Sequence, residues 1–197
     1  TFVTNLRGVE RHHRRWLREN RHLRYMWIPH TDAVVVVACN PFRGGQPPRP
    51  NATPEAKRLE PLRRLLRARE AGAGGDDLEG LSFADLRDRL VRLGPLDRDW
   101  IAQVNRAEAE FWRRSQGSRV GDSAEVLGFE CGGQQWVHEV GFPAGSLAAP
   151  SGADLAYIKA LLARIEAAGI PAPAPLEQRW TASSSAALSV AQSADPE

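Results

Sequence analysis

A carboxylate and a guanidinium lie two residues apart near the end of the chain, in the segment Leu176 to Thr181. The alternating prolines before this segment hold the chain extended, which predicts a short strand. Side chains two apart on a strand leave on the same side, so Glu177 and Arg179 share one face and Gln178 and Trp180 the other. Such a pair can grip a polyhydroxylated substrate and stabilise developing negative charge. The alternative is a surface ion pair, which contributes little stability.

Four segments of the chain together carry a family resemblance. They are Tyr25 to Val37, Asn105 to Arg113, Leu127 to Val137 and Pro171 to Trp180. In this order they resemble the aldonolactone oxidoreductases, and most closely the L-galactono-1,4-lactone dehydrogenases of plants and algae. The resemblance implies an FAD-dependent enzyme of ascorbate synthesis that passes electrons to cytochrome c. It also implies a location on the intermembrane-space side of the mitochondrial inner membrane.

The same resemblance implies roles for Glu177 and Arg179, which occupy the positions of the family's functional Glu and Arg. Arg179 is expected to anchor the lactone's hydroxyls and to stabilise the negative charge that reaches the flavin as hydride leaves the substrate. Glu177 is expected to bind a sugar hydroxyl and to fix Arg179. The substrate implied is L-galactono-1,4-lactone, with L-gulono-1,4-lactone as the alternative. No FAD-binding residue is assigned, because the family binds FAD mainly through another domain.

The predicted fold class is α+β, because strand and helix signals alternate irregularly along the chain. This pattern predicts a mostly antiparallel sheet covered by helices on one side. The resemblance implies the cap domain of the vanillyl-alcohol-oxidase flavoprotein fold. We expect a helix over residues 1–20 leading into a cap domain over 21–182, with a loop insertion at 40–80 and a Ser/Ala-rich tail at 183–197. Since the family's proteins are more than twice as long, we expect an internal fragment without the FAD-binding domain, inactive alone.

Several individual elements can be predicted from local patterns. The strongest strand signals are His22 to Pro29 and Ala33 to Cys39, and the four valines of the second favour burial on both faces. A further strand is expected over Val126 to Val140, with a bulge at Gly132-Gly133. Helices are expected from Thr4 to Asn20, from Pro54 to Glu70 with a kink or late start at Pro61, after the caps Ser82 and Asp97, and from Ser151 or Asp154 to Gly169.

The charge pattern is unusual, although the net charge of +2 is small. Of the 26 basic residues only Lys57 and Lys159 are lysines. A stripe of arginines on the first predicted helix is either a solvated face or a docking surface, and no recognition motif supports nucleic-acid binding. No apolar run reaches about 18 residues, so no membrane span is predicted. The histidines lack metal-ligand spacing, and Cys39 and Cys131 are expected to be reduced thiols.

A second function, from a different class, stays open. In plants the same family is associated with assembly of the membrane arm of respiratory complex I. A divergent copy could therefore be a non-catalytic structural or assembly subunit. The arginine-rich first helix and the loop from Asn40 to Thr53 would then be docking surfaces. Retention of both Glu177 and Arg179 favours the enzyme.

Overall fold

The computed structural model of the chain describes residues 1–46, 48–70, 78–128, 137–189 and 191–192. The elements, in chain order, are β1 Phe2–Thr4, α1 Leu6–Glu19, β2 His22–Trp27, β3 Val34–Cys39, α2 Glu55–Arg69, α3 Phe83–Arg92, α4 Arg98–Arg114, α5 Ser123–Leu127, α6 Ala153–Ala167 and β4 Leu176–Arg179. The four described strands form one antiparallel sheet in the order β1-β3-β2-β4. The predicted α+β class is confirmed.

The sheet combines three strands from the start of the chain with β4 from its last quarter. Strands β2 and β3 pair antiparallel along their whole length. β4 is an edge strand that pairs with β2, so Arg24 lies opposite Arg179 and Met26 lies opposite Glu177. The other edge is β1, which the sequence did not predict. A strand of three residues is too short to show a period of two.

One face of the sheet packs against α1 and α6. Its buried cluster consists of Val9, Trp16, Leu23, Tyr25, Trp27, Val34, Val36 and Ile158. The Tyr25 ring makes edge-to-face contacts with Trp16 and Trp27, a geometry that aromatic rings favour. The predicted amphipathic character of the first helix is therefore confirmed, although its N-cap is Asn5 and not Thr4.

The opposite face of the sheet packs against α4. There Ala109 lies in one cluster with Met26, Val35 and Ala174, and Trp112 packs beside it. The prediction that helices cover only one side of the sheet was therefore wrong. The physical reason lies in the valine run of β3, whose alternate side chains are apolar on both sides, so that neither face can be left to water. Burial of that run on both faces had been predicted and is confirmed.

A third apolar cluster joins α2, α3 and α4. It contains Leu59, Leu62, Leu66, Leu78, Leu86, Leu90, Trp100, Ile101, Val104, Ala107 and Phe111. Helix α2 starts at Glu55 and runs through Pro61, so the late start is excluded. The capping box of Ser82 with Asp85 is present. Asp97 caps α4 as predicted, because its Oδ1 accepts hydrogen bonds from the backbone N–H groups of the first turn.

The strand predicted over Val126 to Val140 is absent from the described part of that range. Val126 and Leu127 end the short helix α5, and residues 137–140 belong to no strand. The predicted bulge at Gly132-Gly133 and Cys131 fall within 129–136, outside the described residues. A helix of five residues shows too little of its period for the sequence pattern to distinguish it from a strand.

Candidate active site on the sheet face

Glu177 and Arg179 leave β4 on the same face, as predicted. The Nε atom of Arg179 lies 3.2 Å from Glu177 Oε1, and its Nη2 donates to Glu139 Oε1 at 3.2 Å. The Arg179 side chain is 59% exposed, whereas that of Glu177 is 19% exposed. Two carboxylates therefore orient the guanidinium while more than half of the side chain stays accessible.

A second arginine approaches Glu177 from the neighbouring strand. Arg24 Nη1 lies 3.8 Å from Glu177 Oε2, and Arg24 is the direct cross-strand partner of Arg179. Like charges directly opposite on adjacent strands repel each other, so the carboxylate between them offsets that repulsion. The sequence did not reveal Arg24, because the contact depends on the register between two strands far apart in the chain.

The second carboxylate oxygen of Glu177, Oε2, is buried but lacks a hydrogen-bond donor among the described residues. The 3.8 Å distance to Arg24 is too long for a hydrogen bond. A buried acceptor without a donor costs free energy, so this oxygen would gain from any donor that comes closer.

The extended segment before β4 is held by Asn105 of α4. The Nδ2 atom of Asn105 donates to the carbonyls of Pro29 and Ala172, each at 2.9 Å, and its Oδ1 accepts from Ala174 N–H at 3.0 Å. Asn105 is fully buried. One side chain thus joins α4, the turn after β2 and the proline-rich segment, and it fixes where β4 begins.

Arg87 of α3 reinforces the same segment. It donates to the Ala174 carbonyl and, through Nε, to Glu108 Oε2 at 3.1 Å. Burial raises the pKa of Glu108, against the opposing effects of Arg87 and of a hydrogen bond from Trp112. Arg87 and Asn105 were not identified as positioning residues from the sequence, because both act on backbone groups of a distant segment.

A buried polar network anchors the opposite side of β4. Asp154 Oδ2 accepts from Trp180 Nε1 at 2.8 Å and lies 2.9 Å from His13 Nε2. The hydroxyl of Tyr25 lies 3.0 Å from His13 Nδ1, and Gln178 Nε2 donates to the Asp154 carbonyl at 3.0 Å. Gln178 and Trp180 therefore share the face opposite Glu177 and Arg179, as the alternation along the strand predicted, and both contact α6 there.

This network has the properties of a structural support. Burial opposes ionisation of Asp154, but hydrogen bonds from Trp180, the Leu155 backbone and His13 together lower its pKa. Burial, with a further contribution from Asp154, raises the pKa of Tyr25, so the phenol stays protonated and can donate to His13. A chain of hydrogen bonds from tyrosine through histidine to aspartate can move a proton in some enzymes. Here His13 and Tyr25 are buried in the core, away from any substrate, so the network supports the structure. The sequence showed no signal for this network.

Metal coordination and membrane insertion have no support in the described part of the chain. Among the described residues, no group of three or more His, Cys, Asp or Glu side chains is placed to hold a metal ion. The same residues include no helix with the length and apolar character needed to cross a membrane. The arginine stripe of α1 is exposed at Arg7, Arg11, Arg14, Arg15 and Arg18.

Taken together, these features define an α+β domain whose charged pair lies on the edge strand of a sheet buried on both faces. No family model matches the chain. Two rice proteins (Oryza sativa subsp. japonica), L-galactono-1,4-lactone dehydrogenases 1 and 2, mitochondrial, are each 48% identical to it over 200 residues. The mitochondrial L-galactono-1,4-lactone dehydrogenase of Arabidopsis thaliana is 46% identical over 206 residues.

The alignments cover 98% of this chain for the rice proteins and 97% for the Arabidopsis protein. They cover 34% of each of those proteins, so the chain spans about a third of the length of the curated relatives that it matches. Over that segment the chain is homologous to the L-galactono-1,4-lactone dehydrogenases. The family resemblance found in the sequence motifs is thereby confirmed.

Proposed function

We propose that this chain is the substrate-facing part of a mitochondrial, FAD-dependent L-galactono-1,4-lactone dehydrogenase. The observation that carries the proposal is the 48% identity to the rice enzymes over 98% of the chain. The reaction oxidises L-galactono-1,4-lactone to L-ascorbate, with cytochrome c as the electron acceptor. The relatives' names include the word mitochondrial, which supports that location, and we place the enzyme on the intermembrane-space side of the inner membrane.

Arg179 is the residue that we assign to the reacting centre. Its guanidinium is a cation with a planar fork of donors that can bind two oxygen atoms. Because its Nε and Nη2 atoms are directed at carboxylates, the group is oriented before substrate arrives. A fixed positive charge of this kind stabilises negative charge that develops as hydride leaves the substrate carbon.

Glu177 acts on the substrate and on Arg179. Its Oε1 atom lies 3.2 Å from the guanidinium, which limits the positions that Arg179 can take. Its carboxylate can also accept a hydrogen bond from a sugar hydroxyl. A charge-assisted bond of this kind is roughly twice as strong as a neutral one. In this proposal Glu177 binds a hydroxyl group of the substrate, and Arg179 stabilises the developing negative charge.

FAD, when bound, supplies the hydride acceptor. The described residues fit this cofactor in one respect, because the exposed cation of Arg179 suits a neighbour that gains negative charge. The groups that cradle its phosphates belong, in this proposal, to the part of the protein outside this chain. The chain alone is accordingly proposed to be inactive.

A variant series in the complete flavoprotein tests the proposal. Stopped-flow absorbance would follow the loss of the oxidised flavin spectrum after anaerobic mixing with L-galactono-1,4-lactone. We expect fast reduction in the wild-type protein and slow reduction in Arg179→Ala and Glu177→Gln. The matched control is Arg15→Ala, because the Arg15 side chain is also 59% exposed but, among the described residues, pairs with Glu19 of its own helix α1. Equal rates in Arg179→Ala and Arg15→Ala would contradict the proposal.

The competing function is that of a non-catalytic structural or assembly subunit associated with respiratory complex I. The exposed arginines of α1 are the feature that favours it. Several charges on this surface are already paired within the chain, as Arg15 is with Glu19 and Glu10 is with Lys159. Reduction of a bound flavin by L-galactono-1,4-lactone would favour the dehydrogenase over the structural or assembly subunit.

A further inference from the structure

Arg24 lies at the candidate site but comes from a different strand than the pair on β4. Its side chain is 20% exposed, and Nη1 lies 3.8 Å from Glu177 Oε2. The alternation along β2 places Arg24 on the same sheet face as Met26, and the register places it opposite Arg179. Arg24, Glu177 and Arg179 therefore form a charged end of a sheet face whose other end is apolar and covered by α4.

The two oxygens of Glu177 face two different cations. Oε1 lies 3.2 Å from Arg179 Nε, and Oε2 lies 3.8 Å from Arg24 Nη1. Oε2 is the atom that is buried without a hydrogen-bond partner. Charge interactions are stronger in a buried environment than in water, so the nearby Arg24 guanidinium has a large influence on the orientation of the Glu177 carboxylate.

We propose that Arg24 is a positioning residue of the candidate site, which acts on the reaction through Glu177. It attracts Oε2 and so keeps Oε1 directed at Arg179. This inference rests on the proposed dehydrogenase function. Arg24 itself touches neither substrate nor flavin in this account, and its removal would let the Glu177 carboxylate rotate away from Arg179.

The proposal depends on a positive charge at this position. At 3.8 Å the guanidinium acts on Oε2 through its charge and not through a hydrogen bond, so Arg24→Lys should recover most of the rate. A glutamine keeps a similar length without the charge. Arg21→Gln is the control, because Arg21 lies just before β2 and its side chain is exposed.

The experiment is a double-mutant cycle in the complete flavoprotein, with flavin reduction by L-galactono-1,4-lactone as the readout. Arg24→Gln should lower the rate per unit of lactone concentration about tenfold, within the range of interaction energies between contacting residues. The same substitution in a Glu177→Gln background should change the rate by less than about twofold, since the residue through which it acts is gone. A general loss of structure would slow both backgrounds equally.

Three results would overturn the inference. Arg24→Gln could react as fast as the wild-type protein and Arg21→Gln. Arg24→Gln could slow flavin reduction by the same factor in the wild-type and Glu177→Gln backgrounds. Arg24→Lys, which keeps the charge and guards against a glutamine variant that fails to fold, could react as slowly as Glu177→Gln. A wild-type flavoprotein that the lactone does not reduce would overturn the proposed function and this inference with it.

Discussion

Arg179 and Trp180 are consecutive residues whose side chains leave the chain on opposite sides of the sheet. Arg179 contacts Glu177 and Glu139, whereas Trp180 donates to Asp154 of α6. The candidate site therefore lies on one side of a strand whose other side is anchored in the core. β4 is only four residues long and, among the described strands, pairs with β2 alone, so the hydrogen bond from Trp180 to Asp154 adds support to this short strand.

Replacing Arg179 tests the charge at the candidate site. Arg179→Ala should lower the turnover of the complete enzyme by about 10²-fold, the usual cost of removing one preorganised charge-stabilising group. Arg179→Lys should recover only part of that loss, because a lysine cannot bind two oxygens in a fixed plane. Steady-state reduction of cytochrome c at saturating lactone measures both. Full activity in Arg179→Ala would exclude the assigned role.

Replacing Trp180 tests the anchor behind β4. Trp180→Phe keeps a ring that can contact Tyr25 and His13 but loses the N–H that donates to Asp154 at 2.8 Å. The expected loss is about 1–2 kcal/mol of unfolding free energy, since a buried carboxylate loses one of its donors. Urea unfolding of the 197-residue chain measures it.

The control for that substitution is Tyr157→Phe, at an exposed aromatic of α6. Its effect should stay within about 0.5 kcal/mol, as for surface changes in general. If the two variants were equally stable, the hydrogen bond from Trp180 to Asp154 would have no net stabilising value.

Replacing Asn105 tests how the segment before β4 is held. Asn105→Ala would leave two carbonyls and the Ala174 N–H without their partner in a buried site. We expect a loss of about 3 kcal/mol, because each unsatisfied buried group costs about 1–3 kcal/mol and the site relaxes in part. Gln103→Ala on the exposed side of α4 is the matched control, since Gln103 makes one long bond within its own helix. Similar unfolding midpoints for the two variants would refute this role.

Acid titration tests the ionisation of Asp154. Its pKa is lowered from the ordinary value of 3.8 in the folded protein, so the ionised carboxylate stabilises the fold. That contribution is complete above pH 3.8, and it disappears as the pH falls through the lower pKa that Asp154 has in the folded protein. The unfolding free energy of the wild-type chain should therefore fall more steeply below this pH than that of Asp154→Asn.

Glu108 affects the pH dependence of stability in the opposite direction to Asp154. Burial raises its pKa, so its contribution to the unfolding free energy is lost as the pH rises. It is present in both proteins, so it cancels when the two pH profiles are subtracted. Parallel profiles for wild type and Asp154→Asn below pH 3.8 would show that the network does not favour the ionised form.

Local features of this fold could be predicted because they depend on a few neighbouring residues. The shared face of Glu177 and Arg179 follows from the period of a strand, and the Ser82 capping box follows from residues three apart. The aromatic residues of α4 follow helical spacing, and their burial in a core cluster is confirmed.

The rest depended on contacts between distant parts of the chain. His13 and Asp154 are separated by 141 positions, and neither residue type nor spacing marks them as partners. Arg24 meets Glu177 only because β4 pairs with β2 in one register. The packing of α4 on the second sheet face was missed for the same reason, since an apolar stripe shows that a helix is buried but not against which surface.

The most direct test of the central claim is an absorbance spectrum of the complete natural polypeptide, with intact mass measured on the same sample. We predict a polypeptide far heavier than 21.7 kDa with an oxidised flavin spectrum that L-galactono-1,4-lactone bleaches. A flavin-free polypeptide near 21.7 kDa would contradict the dehydrogenase assignment and leave the structural or assembly subunit in its place.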